Sequence, residues 1–162
     1  MTSTTIWQHK KFSALSPDQL YDLLKLRSDI FVVEQTCIYS DLDSKKNNKD
    51  RHAETIHLLG YQAGELVAYL RLLAKDQSYP DHLSIGRVVI ATQARGNGIG
   101  HELLTEGLAL CRHYFPNENI KISAQQHLKS YYAQHGFVQI SAIYLEDDIP
   151  HIGMLKESSP TK

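Results

Sequence analysis

Arg95-Gly96-Asn97-Gly98-Ile99-Gly100 sets three glycines at alternate positions directly before an amphipathic helix. Without Cβ atoms, a backbone there can approach a ligand closely. The first amides of a helix have no intrahelical acceptor, and the helix dipole adds positive potential where they point. Amides gathered this way form a site for a phosphate or pyrophosphate, to which Arg95 can add a charge-assisted hydrogen bond. The spacing departs from two other phosphate-binding turns. A dinucleotide turn needs G-x-G-x-x-G at the start of a strand-first unit, and His101 stands where its third glycine would be. The nucleotide-triphosphate loop needs a G-K-[S/T] ending, which is absent.

Other reactive residue types do not assemble into a site. His101-Glu102-Leu103-Leu104-Thr105 begins like a zinc-binding H-E-x-x-H, but Thr105 replaces the second histidine. The nine histidines show no pair at ligand spacing with a third partner, so no metal is expected. Cys37 and Cys111 are far apart without a C-x-x-C pattern and read as two reduced thiols. Ser130 has no adjacent base, which leaves a serine hydrolase unsupported. Arg71 and Arg87 fall within strands and are expected to anchor a loop or a carboxylate rather than do chemistry.

The elements that must position the glycine turn follow from capping and periodicity. Ser16, Pro17 and Gln19 give a capping box with proline at the first helical position. Leu20, Leu23, Leu24 and Leu26 then recur at helical spacing, and Ile30 and Phe31 continue the stripe. Thr55–Tyr61 and Leu66–Leu73 read as a hairpin about Ala63-Gly64-Glu65, and Leu83–Ile90 as a third strand entering the turn. The helix after the turn carries Leu103, Leu104, Leu108 and Cys111 on one face and stops at Pro116. Ile120–Ala124 is a short strand, His127–His135 a short helix closed by Gly136, and Phe137–Ile140 and Ile149–Leu155 the last strands. This order predicts an α+β, or mixed α/β, fold. Asp41–Arg51 is nearly devoid of apolar residues and is expected to be an exposed loop bordering a site.

Length and charge bound the function. A chain of 162 residues is expected to form one domain, over residues 1–156, with a frayed tail at 157–162. Seventeen basic against eighteen acidic residues give a net charge of −1, which argues against a nucleic-acid partner. No apolar run reaches the roughly 18 residues of a membrane span, and the start of the chain does not read as a secretory signal. The expected compartment is the cytoplasm.

The glycine turn matches the R/Q-x-x-G-x-G/A loop of the acetyl-CoA-dependent GNAT acyltransferases. Arg27–Gln35 (RSDIFVVEQ), Val67–Leu72 (VAYLRL), Ile85–Val89 (IGRVV), Ala124–Leu128 (AQQHL), Tyr131–Phe137 (YYAQHGF) and Ile149–Met154 (IPHIGM) resemble, in order, the blocks of its ElaA-like subfamily. The resemblance implies a GNAT fold, with a central, mostly antiparallel twisted sheet flanked by helices. It also implies acetyl-CoA as cosubstrate and transfer of its acetyl group to a primary amine, on a small molecule or a peptide, by direct attack in a ternary complex. It extends to a homodimer.

By the same resemblance, Arg95, Gly96, Asn97, Gly98, Ile99 and Gly100 hold the coenzyme's pyrophosphate. Val88, Val89 and Ile90 lie along the pantetheine arm, with an amide near Val89 polarising the thioester carbonyl. Those side chains can pack in the core at the same time. Tyr132, in the Y-x-x-x-G-F pattern, is the expected acid for the departing thiolate, and one of Tyr131 and Tyr132 packs in the core. Glu34 and His151 are the candidate bases, each with a structural alternative as ion pair or hydrogen-bond partner, and a water chain is a third route for the proton. ElaA-like chains read EDGIPHIEM near the end, where this one has Glu146-Asp147-Asp148-Ile149-Pro150-His151-Ile152-Gly153-Met154. Gly153 in the glutamate's place motivates an alternative, a non-catalytic CoA-binding sensor or assembly module.

Overall fold

A computed structural model of the chain describes residues 4–43 and 48–158. Two antiparallel sheets meet at one point. The first runs β1 (Ile6–Lys11), β2 (Ile56–Gln62), β3 (Glu65–Leu73), β4 (Ser84–Ile90), in that spatial order. The second has β5 (Ile120–Gln125) beside β8 (Ile149–Lys156), with β6 (Val138–Gln139) and β7 (Tyr144–Glu146) both pairing β8. The join is a single parallel bridge, Leu83 to Ile120, where Leu83 N–H donates to Asn119 O and Lys121 N–H to Leu83 O, both at 2.9 Å. Beyond it β4 and β5 part, and the parting makes the cleft.

The helices form where the sequence predicts. Helix α1 (Pro17–Arg27) opens with the capping box, Gln19 N–H donating to Ser16 Oγ and Ser16 N–H to Gln19 Oε1, each at 3.0 Å. It widens into a π-helical turn over Ser28–Glu34 that buries Ile30 and Phe31. Helix α2 (Ile99–Tyr114) buries Leu103, Leu104, Leu108 and Cys111 against the first sheet. Helix α3 (Lys129–Ala133) ends at Gly136, whose φ of +93° turns Phe137 into the core beside Tyr132. Hairpin β2–β3 turns on Ala63 and Gly64, both at positive φ, the two-residue turn whose twist suits antiparallel strands.

Three expectations change. Strands β1 and β7 were not predicted; both are short and lie at sheet edges, without the alternation that marks a half-buried strand. The strand expected over Phe137–Ile140 shrinks to two residues. The loop expected to be exposed over Asp41–Arg51 is anchored inward. Residues 44–47 of it lie outside the described residues, but Asp41 and Asp50 are buried, 5% and 8% exposed, because Arg27 and Arg71 draw them in. Of the tail expected at 157–162, residues 159–162 are outside the described residues, and Ser158 N–H donates to Asn119 Oδ1 at 2.9 Å.

Candidate active site

Two cavities open on either side of the β4–β5 parting and share Gln35, Val88, Gln125 and Leu128 as lining. The first, about 480 Å³, is floored by Val88, Val89 and Ile90 and closed at one end by the glycine turn. The second, about 260 Å³, reaches Tyr132, Glu146 and His151. Gln125 Nε2 donates to Gln35 Oε1 at 3.2 Å, so the two shared glutamines form a bridge.

The glycine turn has the geometry of an anion site. Gly96 and Gly98 sit at φ +93° and +78°, conformations that cost an L-residue roughly 1–2 kcal/mol, and a Cβ at either would meet nothing within 4 Å. The first amide of α2 to bond back is Glu102, to Gly98 O at 3.1 Å. Ile99, Gly100 and His101 therefore present amides without intrahelical acceptors beside the first cavity. The turn and α2 thus fit a pyrophosphate through backbone groups alone.

Arg95 is placed differently from the expectation. Its Nη1 and Nη2 donate to Glu34 at 2.7 and 3.2 Å, and its Nε and Nη2 to Ile90 O at 3.2 and 3.1 Å. The guanidinium braces the turn against the π-helical segment instead of pointing at the free amides. That same pairing corrects the reading of Glu34 as a base. The hydrogen bonds from Arg95, then Thr92, hold its carboxyl below the ordinary range, and Glu34 lines only the first cavity. A carboxylate held low and away from the second cavity is a poor acceptor for a proton released there.

On β4, Ala91 N–H donates to Val67 O at 2.8 Å. Alternation along an antiparallel ladder then turns the Val89 amide toward its partner Tyr69 on β3 and the Ile90 amide toward the open edge, while a register shift interrupts the ladder between Tyr69 and Arg71. The Ile90 carbonyl, which takes Arg95, faces that edge too. The Val89 amide, near which the polarising amide is expected, is thus engaged with β3.

Tyr131 and Tyr132 divide as the sequence allowed. The Tyr131 hydroxyl donates to Gly100 O and packs beneath the glycine turn. Tyr132 is 7% exposed, edge-on to Phe137, and its hydroxyl makes no hydrogen bond among the described residues while its side chain lines the second cavity. Burial pushes its pKa up to about 12, so the phenol keeps its proton at neutral pH. His151 stands on the same cavity. Its Nδ1 lies 2.7 Å from Ile149 O, which can only accept, so Nδ1 is the donor in that contact. That Nε2 is 3.3 Å from Glu146 Oε2. The structure brings Tyr132 and His151 to one cavity and separates Glu34 from both.

Gly153 faces neither cavity. Its N–H takes the Ser141 hydroxyl at 2.8 Å, and a Cβ added there would meet Ser141 Oγ at 3.2 Å. Arg71 and Arg87 anchor carboxylates as expected: Arg71 Nη1 pairs Asp43 and Asp50 at 2.6 and 2.9 Å, and Arg87 Nε lies 2.9 Å from Asp41. Sequence reasoning missed Gln35, Gln125 and Glu146 as lining residues. Glu146 alone carried a local signal, an acidic residue just before a two-residue turn.

Residues 15–158 match the family described as an acetyltransferase (GNAT) domain. Protein ElaA of Escherichia coli K12 is 41% identical over 151 residues, covering 93% of this chain and 95% of its own. The crystal structure of Escherichia coli ElaA superposes with a TM-score of 0.87 at 40% identity, covering 95% of this chain and all of that one (100%). That of an acyl-CoA N-acyltransferase from Pseudomonas aeruginosa gives 0.87 at 41% identity, covering 94% and 99%. By sequence and fold together, this chain belongs to the GNAT acetyltransferase family.

Proposed function

We propose that the chain transfers the acetyl group of acetyl-CoA to a primary amine in a ternary complex, with the coenzyme in the first cavity and the amine in the second. Membership of the GNAT family supports acyl transfer from coenzyme A. The observation that carries the rest is the pair of cavities joined across the β4–β5 parting, free helix amides at one and Tyr132 with His151 at the other. Bound acetyl-CoA would supply an activated thioester, whose carbon–sulfur bond breaks as the amine nitrogen bonds the acyl carbon.

Each group in the chain then has a task. The amides of Ile99, Gly100 and His101 fix the pyrophosphate. An open-edge amide of β4 stabilises negative charge on the carbonyl oxygen. His151 Nε2 takes a proton from the substrate ammonium group, which frees the amine lone pair for attack, and Glu146 stabilises the resulting imidazolium. The Tyr132 hydroxyl donates toward the departing sulfur. Its raised pKa does not defeat that role, since the same burial raises a thiol's pKa, as burial first and Asp147 second do for Cys37 on the same wall. Cys37 is the thiol on that lining, and its raised pKa leaves it unactivated as an acyl acceptor, so direct attack by the amine needs no covalent acyl-enzyme.

The alternative, a non-catalytic CoA-binding module, took its motive from the glutamate replaced by Gly153. A Cβ at that position packs on Ser141, and Gly153 is not among the residues lining the second cavity. Transfer of isotope from labelled acetyl-CoA to a panel of amines tests the reading. It predicts amine-dependent transfer that Tyr132→Phe suppresses; coenzyme binding without transfer to any amine would overturn it in favour of the module.

A further inference from the structure

The second cavity is lined by charges of both signs, and its size limits what can enter. On one wall stands Arg87, at φ +51° within β4. A left-handed arginine inside a strand is strained, and such residues concentrate at functional sites. Its guanidinium is pinned by three contacts. Nε lies 2.9 Å from Asp41 Oδ1, off the axis of a hydrogen bond. Nη2 donates to Asp41 O at 3.0 Å, and the Tyr39 ring lies 5.7 Å from Cζ. Nη1 makes no hydrogen bond among the described residues, and the side chain remains 23% exposed.

The carboxylates behind this wall match its guanidiniums in number and leave Lys49 in excess. Asp41 also accepts from Arg27, and Asp43 and Asp50 are held by Arg71 and Arg27. Three guanidiniums thus face three carboxylates, and Lys49 adds a further positive charge to the cavity lining. The same cavity is lined by Glu146, half exposed, and Asp147, exposed, with the His151 imidazole beside Glu146. At about 260 Å³ the space falls below the roughly 300–1,000 Å³ of pockets for drug-sized ligands.

We infer that the acceptor is a small zwitterion of the amino-acid class: a primary amine bearing a carboxylate, with the carboxylate on Arg87 and Lys49 and the amine beside Glu146 and His151. This rests on the acyl-transfer reading above and narrows it. Arg87 is a specificity-determining residue in this scheme, held rigid so that its free edge meets a carboxylate without reorganisation.

The test compares each common amino acid with its own carboxamide, which differs only in the lost negative charge, as acceptors in acetyl-CoA-dependent thiol release. The inference predicts kcat/KM about tenfold or more higher for the best carboxylate than for its amide. Arg87→Gln abolishes that preference through KM for the amino acid, with KM for acetyl-CoA unchanged, and Arg87→Lys restores part of it. Since Arg87 also braces Asp41, the thermal midpoint of each variant with coenzyme A controls for folding. Amides accepted as well as their acids, or a preference that survives Arg87→Gln, overturn the zwitterion assignment and leave acyl transfer standing. Coenzyme binding without turnover of either member overturns acyl transfer, and the assignment with it.

Discussion

The coenzyme side and the acceptor side of the cleft are built from different materials. The first cavity owes its chemistry to backbone: amides at the start of α2, two left-handed glycines, and the open edge of β4. The second owes it to side chains drawn from seven separate stretches of chain, with Arg27, Asp41, Asp50 and Arg71 buried behind one wall. A backbone site tolerates much sequence change as long as the turn keeps its shape. A side-chain site depends on each partner, because removing one leaves another charge buried and unpaired. The coenzyme half suits a cosubstrate shared across a family, and the acceptor half suits specificity that one chain can change.

The sharpest way to break this contrast is at the buried network. Arg27→Met takes one of two guanidiniums from each of Asp41 and Asp50 and is expected to destabilise the fold by about 3–5 kcal/mol, read from chemical denaturation. A loss under 1 kcal/mol would show that the network carries little. Tyr132→Phe comes next. It removes only a hydroxyl and is expected to lower kcat about 100-fold with the acetyl-CoA KM nearly unchanged, as steady-state kinetics would show. Gly98→Ala strains the turn by roughly 1–2 kcal/mol and should weaken coenzyme binding about tenfold in calorimetric titration, with kcat at saturation preserved. The smallest effect is a gain. Asp147 and Asp148 both hold positive φ in the β7–β8 turn, and glycine suits the second position. Asp148→Gly should raise stability by about 1 kcal/mol in the same denaturation assay.

Acid sharpens the comparison further, because only the side-chain half titrates. Burial lowers the His57 pKa, since the ring is wedged between Tyr69 and the Asp50 carbonyl. A histidine held neutral in the fold stabilises it above its unfolded pKa of about 6.5 and loses that contribution as pH falls toward the lower folded value. For Asp50, burial acts to raise the pKa, but Arg27 and Arg71 outweigh it and leave the carboxyl low. Its contribution is complete above about pH 3.9 and is lost as pH falls through the folded value. Denaturation midpoints against pH should therefore fall in two steps, and Asp50→Asn should remove the lower one.

The same division explains what the sequence disclosed. The glycine turn, the capping box and the Gly136 stop are local devices, complete within a few residues, and each was legible. The charged run after Asp41 read as solvated because its partners, Arg27, Arg71 and Arg87, lie 14 to 46 positions away. The ion-pair alternative for Glu34 lacked a named partner for the same reason; Arg95 is 61 positions distant. Strand β1 escaped notice because, as an edge strand, it buries too little to impose alternation, although Trp7 reaches Glu102 on α2 at 2.8 Å.

The central claim is that backbone amides at the start of α2 seat the coenzyme and so set its thioester at the β4–β5 parting. A crystal structure with coenzyme A bound tests it most directly. It should show pyrophosphate oxygens about 3 Å from the amides of Ile99, Gly100 and His101, and the sulfur between Val88 and Tyr132. A coenzyme seated elsewhere, with those amides facing only water, would contradict the account.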